Sequence, residues 1–338
     1  MKRISIIFAC VAFCAACVFC LDACSSSSSQ SDSASNTDGT AAGTTGASTT
    51  SIVIGTLATE DILPMWVAEA EGLFEEEGLS ASVQVFQSAT ELIAGVSAGE
   101  VDFAMTDPMV TASLYASGSD VQITWVTLGL TADQGRFGIM TADSSIKSLQ
   151  DLRGKSIGVG SNTILEYVMD KLIEDAGIEA GAIGKEELQK LPVRYESMAS
   201  GQVTAAALPA SLLALGEANG FVCIADDTQG ENISQSVMIA QSEVIAGEEG
   251  SALNEALAHV WDKAVNLINE NPENYRSLLV EKASLPEAVA QTYKICTYPT
   301  AQLPEQEMID PILDWMLEKG YLESAISYDA KTGTFSGR

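Results

Sequence analysis

The sequence predicts an α/β fold of two lobes, each with a mainly parallel sheet and flanking helices, joined by a hinge. Short apolar runs typical of strands alternate with helical spacing along the chain, and one strand–helix unit occurs twice. The chain has 338 residues, and about 288 of them follow a polar segment that ends near residue 50. That length is sufficient for two lobes with separate hydrophobic cores.

The N-terminus has the pattern of a secretory signal. Two basic residues precede the apolar run 4–21, which is followed by Cys24 and a row of serines. The position of Cys24 resembles the lipobox of bacterial lipoproteins, although Asp22 stands where a small or apolar residue is usual. We therefore predict a lipoprotein signal peptide over residues 1–23, with Cys24 lipidated. An uncleaved membrane anchor is the alternative, because the apolar run is long enough to span a bilayer.

Residues 24–50 are expected to form a flexible tether. Ser, Thr, Gly and Ala dominate this segment, which cannot bury enough apolar surface to offset the entropy of ordering. Either N-terminal prediction places the rest of the chain outside the cytoplasm, beside a membrane.

Charge and cysteine content exclude several classes of function. With 46 acidic and 17 basic residues the formal net charge is −29, which argues against nucleic acid as a partner and against adhesion to anionic lipids through a basic patch. Beyond the signal region only Cys223 and Cys296 remain. We expect them in different lobes as free thiols, and no Cys/His spacing indicates a metal site. No cofactor is expected.

The folded part contains a weak internal repeat. In the first copy, the strand Ile52–Leu57 leads through a polar loop into a helix that ends at Gly72. In the second copy, the strand Ser156–Val159 leads into a helix that ends at Gly177. The two copies therefore begin with the same order of elements.

The remainder of the repeat has matched spacing. The next strand is predicted at Ser82–Phe86 in the first copy and around Leu191–Val193 in the second. Both copies close with a similar phrase, GEVDFAMTD from Gly99 and GQVTAAALP from Gly201. The glycine of the first strand precedes this phrase by 44 residues in one copy and 43 in the other. The near-equal spacing favours two copies of one strand–helix–strand–helix–strand unit over ordinary α/β alternation.

The chain is predicted to cross between the two lobes twice. Lobe 1 is assigned to residues 51–141 and 239–338, and lobe 2 to residues 142–238. The strand Arg136–Thr141 is expected to leave lobe 1, and Ser236–Gln241 is expected to carry the return crossing. The C-terminal part should be helical and cover lobe 1, since its apolar residues follow a helical stripe.

Four loops are predicted to line a cleft between the lobes. Ligands of open α/β sheets bind beyond the carboxyl ends of the strands, where loops enter helices. That rule selects the loops 58–62, 106–109, 160–163 and 208–211. If the lobes face each other, these loops converge, and hinge closure around such a cleft is a common way to capture a ligand.

Four stretches resemble the solute-binding proteins of nitrate/sulfonate/taurine-type ABC importers. They are IVIGTLATEDILPMWVAEAEGLFEEEGL, SAGEVDFAMTDPMV, IKSLQDLRGKSIGVGSNTILEYV and INENPENYRSLLVEKASLP, and the similarity runs from Ser51 to about Tyr321. The resemblance implies the two-lobed type II periplasmic-binding-protein fold and a lipid-anchored monomer on the extracytoplasmic face of a bacterial cell membrane. It also implies an ABC permease and a cytoplasmic ATPase as partners, a small polar solute as ligand, and no enzymatic activity.

Two alternatives stay open. The thiamine-pyrimidine synthase family shares this fold, and a resemblance to it would require an active-site histidine. The one histidine, His259, is expected to face solvent, about 180° from the apolar stripe of its helix. A solute sensor that does not feed a permease is the second alternative.

Ten residues in or beside the four loops form the candidate ligand-binding set: Thr59, Glu60, Asp61, Thr106, Asp107, Ser161, Asn162, Thr163, Glu166 and Pro209. Some also have a local explanation. Asp107 before Pro108 fits a helix start, and Thr163 with Glu166 fits a capping box. Pro209 resembles an L-P-E-P phrase of the family in which Ala210 replaces the glutamate.

Charge near the predicted cleft bears on the ligand. Potential carboxylates lie there on Glu60, Asp61, Asp107 and Glu166, against the single nearby cation of Arg136. Helix N-termini attract anions, but carboxylates in the same first turns oppose them. We therefore predict a neutral, zwitterionic or cationic ligand, such as an amine-bearing heterocycle, in preference to a simple oxyanion.

Overall fold

The computed structural model describes residues 50–283, 285 and 287–338. The predicted signal peptide, Cys24 and all of the predicted tether except Thr50 lie outside the described residues. The strands are β1 (Thr50–Leu57), β2 (Leu79–Phe86), β3 (Phe103–Thr106), β4 (Val121–Leu128), β5 (Phe137–Thr141), β6 (Ser156–Val159), β7 (Gly184–Glu187), β8 (Ala205–Pro209), β9 (Val222–Asp226), β10 (Ser236–Gln241), β11 (Ser327–Asp329) and β12 (Thr334–Ser336).

Helices separate most of these strands. They are α1 (Leu63–Glu71), α2 (Leu73–Glu76), α3 (Ala89–Ser97), α4 (Pro108–Ala116), α5 (Ile164–Asp175), α6 (Leu191–Ala199), α7 (Ala210–Ala218), α8 (Gly247–Glu270), α9 (Arg276–Lys282), α10 (Glu287–Ala290) and α11 (Gln306–Glu318). Short 3-10 turns occur at Glu60–Ile62, Leu149–Leu152 and Pro272–Tyr275. Within the described ranges, no helix combines the length and apolarity that a bilayer crossing requires.

Two five-stranded sheets confirm the predicted two-lobed α/β fold. The first has the order β2-β1-β3-β10-β4, and the second has the order β7-β6-β8-β5-β9. In each sheet the fourth strand, β10 or β5, runs antiparallel to both of its neighbours, and the other recorded pairs are parallel. The sheets therefore share one topology.

Strand register supports the internal repeat. Gly55 of β1 lies opposite Ala104 of β3, and Gly158 of β6 lies opposite Ala206 of β8. Each alanine follows the glycine of its closing phrase by five residues. A Cβ added to Gly55 would lie 2.6 Å from a methyl group of Leu92 on α3, and one added to Gly158 would lie 2.9 Å from a methyl group of Leu188 in the loop before α6, so close side-chain packing favours glycine in both copies.

The chain crosses between the lobes before β5 and again before β10, whereas the sequence analysis assigned the two crossings to these strands themselves. Strand β5 pairs with β8 and β9, and strand β10 pairs with β3 and β4, so each lies wholly in the sheet that the chain enters. The connecting backbone is therefore residues 129–136 and 227–235, rather than the predicted boundaries at 141 and 238.

The second strand of the second copy is not at Leu191–Val193, where it was predicted. Those residues begin α6, whose first turn contains Pro192, and the strand is β7, Gly184–Glu187. All residues of β7 are exposed, and β7 pairs only with β6 at the edge of its sheet.

Helix α8 packs on lobe 1 as its apolar stripe predicts. Leu257, Val260 and Trp261 are buried, whereas His259 is exposed. The Trp261 ring lies 6.0 Å from the Trp125 ring in the core between α8 and the first sheet.

Helix α11 reaches both lobes, although the C-terminal part was predicted to cover only lobe 1. It contacts α4 of lobe 1, and its Trp315 Nε1 donates to Asp170 of α5 at 3.3 Å. Lys185 and Lys319 also approach Asp170, at 2.9 and 2.8 Å. A cavity of about 560 Å³ lies between α5 and α11, away from the four predicted loops.

Candidate functional site

All four predicted loops line one cavity between the two sheets. It has a volume of about 70 Å³. The loops contribute Thr59, Asp61, Thr106, Asp107, Thr163 and Pro209. The structure thus brings together six of the ten predicted residues, from both lobes, at the carboxyl ends of β1, β3, β6 and β8.

Asp107 links the two lobes across this cavity. Its Oδ1 accepts a hydrogen bond from Val110 N at 2.8 Å and caps α4, as the sequence predicts. Its Oδ2 accepts from Ile164 N at 3.0 Å, at the start of α5 in the other lobe. Burial raises the pKa of this carboxyl to about 6, against the lowering effect of these N–H groups.

Asp61 joins the first loop to the returning strand. Its Oδ2 accepts a hydrogen bond from the Ser236 hydroxyl at the start of β10. Burial raises the pKa of Asp61, and the hydrogen bonds from Ser236 and Thr59 oppose this rise. The first loop of lobe 1 is therefore tied to the point where the chain re-enters this lobe.

Glu60, the neighbour of Asp61, lines a different cavity of about 450 Å³. Its side chain is buried, and its Oε2 has no hydrogen-bond partner among the described residues. Burial and the neighbouring Asp61 raise the pKa of Glu60 to about 8, and its own backbone N–H and the nearby Tyr293 and Ser211 hydroxyls offset this rise only in part.

Three pairs of consecutive residues divide the cleft into these two cavities. Asp61, Phe137 and Pro209 line the small cavity, whereas the residue next to each, namely Glu60, Arg136 and Ala210, lines the large one. Successive side chains of a strand or loop point in different directions, so one backbone layer separates both spaces. The interlobe site has two compartments.

Arg194 lines the small cavity and is not among the predicted residues. Its guanidinium is buried and donates to the backbone carbonyls of Leu188, Gln189 and Ala207 at 2.8 to 3.2 Å. Burial lowers its pKa to about 10. In the repeat it corresponds to the buried Leu92, and this charge at an apolar position is the sequence signal that would have identified it.

Ser161 and Asn162 lie beside the small cavity without lining it. The Ser161 hydroxyl donates to Glu187 within lobe 2. Asn162 has a left-handed backbone with φ of 57°, a conformation that asparagine tolerates. Its Nδ2 donates to Ser113 Oγ at 2.6 Å in lobe 1, so this predicted residue makes a second contact between the lobes.

The capping box predicted for Thr163 and Glu166 is incomplete. Thr163 is the N-cap of α5, but its hydroxyl donates to Gly160 O at 2.7 Å and accepts no capping hydrogen bond. Glu166 accepts from the N–H of Asn162, one residue before the expected one, at 2.7 Å. The tight turn at residues 160–162 moves the preceding N–H into reach of the carboxylate.

The Glu166 carboxylate has a full set of partners away from both cavities. It accepts from Lys185 Nζ at 2.6 Å and from the Tyr321 hydroxyl at 2.8 Å, in addition to the backbone N–H. Since these donors satisfy both oxygens, the structure does not present Glu166 to a ligand in the cleft.

Among the described residues that line the two cavities, the cations are Arg136, Arg194 and the exposed Lys294. Arg136 contacts Glu217 at 2.9 Å and Asp226 at 2.8 Å, and Arg194 is bonded to backbone carbonyls. Three carboxyl groups with raised pKa values therefore face the two cavities without an ion-paired cation: those of Glu60, Asp61 and Asp107. No cluster of His, Cys, Asp and Glu suited to a metal ion occurs in the described part of the chain.

The chain is similar to known proteins over most of its folded part. The NMT1/THI5-like family model matches residues 59–274. A relative from Brucella abortus (strain 2308), named as a binding protein, is 27% identical over 228 residues, which cover 65% of this chain and 68% of that protein.

Solved structures share the fold at low sequence identity. The alkanesulfonate-binding protein of Xanthomonas axonopodis pv. citri, bound to MOPS, superimposes with a TM-score of 0.70 at 17% identity, covering 82% of this chain and 96% of that one. The periplasmic nitrate-binding protein of Synechocystis PCC 6803 gives a TM-score of 0.65 at 12% identity, covering 82% and 83%.

Proposed function

Because this chain belongs to the NMT1/THI5-like family, we propose that it is the extracytoplasmic substrate-binding lipoprotein of an ABC importer. It captures a small polar solute between its lobes by hinge closure and delivers that solute to a membrane permease driven by a cytoplasmic ATPase. A lipid on Cys24 keeps the binding protein near the permease, which raises the effective concentration without any new contact.

The observation that carries this proposal is the convergence of four loops from two lobes on one interlobe cavity. Contacts between the lobes hold that space closed: Asp107 with Ile164, Asn162 with Ser113, and Glu91 with Lys190 at 2.7 Å. Such contacts are expected where a hinge brings two faces together around a ligand.

The cleft does not contain the histidine that the alternative enzymatic function requires. A thiamine-pyrimidine-synthase-like reaction would need a histidine in the cleft, and His259 is exposed on α8. Neither cleft cavity is lined by it.

The carboxylates of the cleft favour a neutral, zwitterionic or cationic ligand over a simple oxyanion. A bound anion beside Glu60, Asp61 and Asp107 would be repelled wherever these groups are ionised, and it would find no free guanidinium or ammonium group in the small cavity. Relatives that bind sulfonates or nitrate therefore fix the fold of this chain and not its ligand.

The test is to identify the solute that the purified full-length chain retains. Native mass spectrometry should show a small organic molecule that denaturation releases, and small-angle scattering should show a smaller radius of gyration with this molecule than without it. A radius of gyration that stays the same with a bound solute would contradict hinge closure. Failure of every solute to bind or co-purify would contradict the proposed function.

A further inference from the structure

We propose that the 450 Å³ cavity holds an organic monocation, and that the Glu60 carboxylate accepts a hydrogen bond from its protonated amine or amidine group. This inference rests on the proposed function and names the class of solute that the site selects.

The larger cavity is the one that fits a solute. Small organic ligands occupy cavities of roughly 300–1,000 Å³, so the compartment of about 450 Å³ is large enough and the compartment of about 70 Å³ is not. The large cavity opens beside the crossing residue Arg136 and extends to the buried Glu60. A solute there lies between the lobes and next to the backbone that moves when they close.

Glu60 is the unmatched group on the wall of this cavity. Its side chain is 3% exposed, and Oε2 has no partner among the residues that the structure describes. A buried carboxylate oxygen without a donor is costly, so the group either binds a proton or receives a donor from a ligand. A protonated amine supplies both the donor and the opposite charge.

The groups that face Glu60 offer no substitute for a ligand cation. The ionisable ones are Asp61, Tyr293, Cys296 and Tyr298, and all four are neutral or negative. Burial and Asp61 hold the pKa of Glu60 near 8, which is the behaviour of an acid with no cation beside it.

The other residues that line this cavity favour an organic ligand over an inorganic ion. Ala210, Ala214 and the Tyr293 side chain line the cavity next to Glu60. At the rim, Arg136 is already paired with Glu217 and Asp226, and the exposed Lys294 is close enough to Asp133 to lower the pKa of that carboxyl. The apolar walls can pack against carbon atoms, and each rim cation has a carboxylate nearby, so the buried Glu60 is the group that selects charge.

The experiment compares benzylamine with benzyl alcohol, which has nearly the same shape and no charge, by calorimetric titration of the purified full-length chain at pH 7. We expect benzylamine to bind at least tenfold more tightly. Because Glu60 is mostly protonated at this pH, the amine should displace its proton to solvent. The measured heat should then vary with the ionisation enthalpy of the buffer, corresponding to nearly one proton released per amine bound.

Two variants separate this role from general effects of the substitution. Glu60→Gln is nearly isosteric with the protonated acid, so the fold should persist, and both the amine preference and the proton release should disappear. Asp102→Asn is the control: Asp102 is a partly buried carboxylate of lobe 1 that accepts from Val53 N at 2.7 Å and lines neither cavity, so this change should preserve both effects.

Equal affinity for the two probes, no binding of benzylamine at millimolar concentration, or an amine preference that survives Glu60→Gln would each overturn the inference. The proposed function would still stand in these cases if another solute co-purifies and compacts the protein. It fails independently if no solute of any charge binds.

Discussion

The Asp107 carboxylate of lobe 1 accepts a hydrogen bond from the Ile164 N–H at the start of α5 in lobe 2, at 3.0 Å. The N-terminus of a helix is a natural site for an anion, because its N–H groups point outward and its dipole is positive there. Asp107 therefore occupies the position on α5 that an anionic ligand would take. One side chain both joins the lobes and blocks an anion site.

Replacing Asp107 with Asn should weaken closure while preserving the cap of α4. The amide oxygen can still accept from Val110 N, whereas the amide NH2 cannot accept from Ile164 N. We expect the ligand-free protein to have a larger radius of gyration by small-angle scattering and an unfolding temperature within a few degrees of the wild type.

Asp102→Asn is the matched control for this change. The Asp102 carboxylate accepts from Val53 N at 2.7 Å, and both residues lie in lobe 1. This substitution should leave the radius of gyration unchanged. If Asp102→Asn and Asp107→Asn shift it equally, the cross-lobe hydrogen bond is not what holds the lobes together.

Replacing Asp107 with Ser should open the α5 terminus to anions. Serine is a good N-cap, so α4 stays capped, but the negative charge is removed and Ile164 N becomes available. We expect nitrate and sulfate, which are small oxyanions, to bind the variant at least tenfold more tightly than the wild type in calorimetric titration. Equally tight binding of either anion to the wild-type chain would contradict the exclusion of anions by Asp107.

The stability of the ligand-free protein should fall as the pH rises from 5 to 8. Burial raises the pKa of Glu60 from its ordinary 4.5 to about 8 and that of Asp107 from its ordinary 3.8 to about 6, so the folded chain binds more protons than the unfolded chain. The stabilising contribution is therefore fully present below the unfolded pKa values and is lost as the pH passes the folded ones. The slope is at most about 1.4 kcal/mol per pH unit for one proton.

Thermal unfolding followed by circular dichroism at pH 6, 7 and 8 measures this slope. Glu60→Gln should flatten the curve between pH 7 and 8, where Glu60 titrates, whereas Glu100→Gln at an exposed position should not. A curve that rises with pH over this window would show that the carboxyl groups of the cleft are not the dominant titrating set.

Glu166 should prove structural, although the sequence places it in the candidate ligand set. Glu166→Gln removes the ion pair with Lys185 inside a buried environment and should lower the free energy of unfolding by about 1 to 3 kcal/mol. Since Glu166 lines neither cleft cavity, solute affinity should stay within twofold of the wild type. A tenfold loss of affinity with unchanged stability would instead make it a ligand contact.

The sequence predicted the four loops because the signals that define them are local. Glycine spacing, strand alternation and the Asp-Pro helix start are visible over a few residues, and topology then converts them into one cleft. The division of the cleft was not predictable in this way. Glu60 and Asp61 were expected to face the same space, but they lie in a 3-10 turn, where successive side chains diverge by about 120°.

Two other features escaped because their signals are weak or depend on tertiary contacts. Strand β7 reads Gly-Lys-Glu-Glu and has no apolar alternation, which an exposed edge strand does not need. Arg194 leaves only a weak sequence signal, a charge where the repeat has Leu92, and its partners, three backbone carbonyls distributed over residues 188–207, come together only in the fold.

The proposed lipid anchor can be tested at a single residue. Cys24→Ala should abolish incorporation of radiolabelled palmitate and shift the protein from the membrane fraction to the soluble one, because the acyl chains supply the binding energy. Cys20→Ala is the matched control, since this cysteine lies four residues earlier, inside the apolar run, and should leave labelling intact. Labelling that is lost with Cys20→Ala and kept with Cys24→Ala would move the modification site. Membrane retention of Cys24→Ala without labelling would favour the uncleaved anchor, whose apolar run does not depend on acylation.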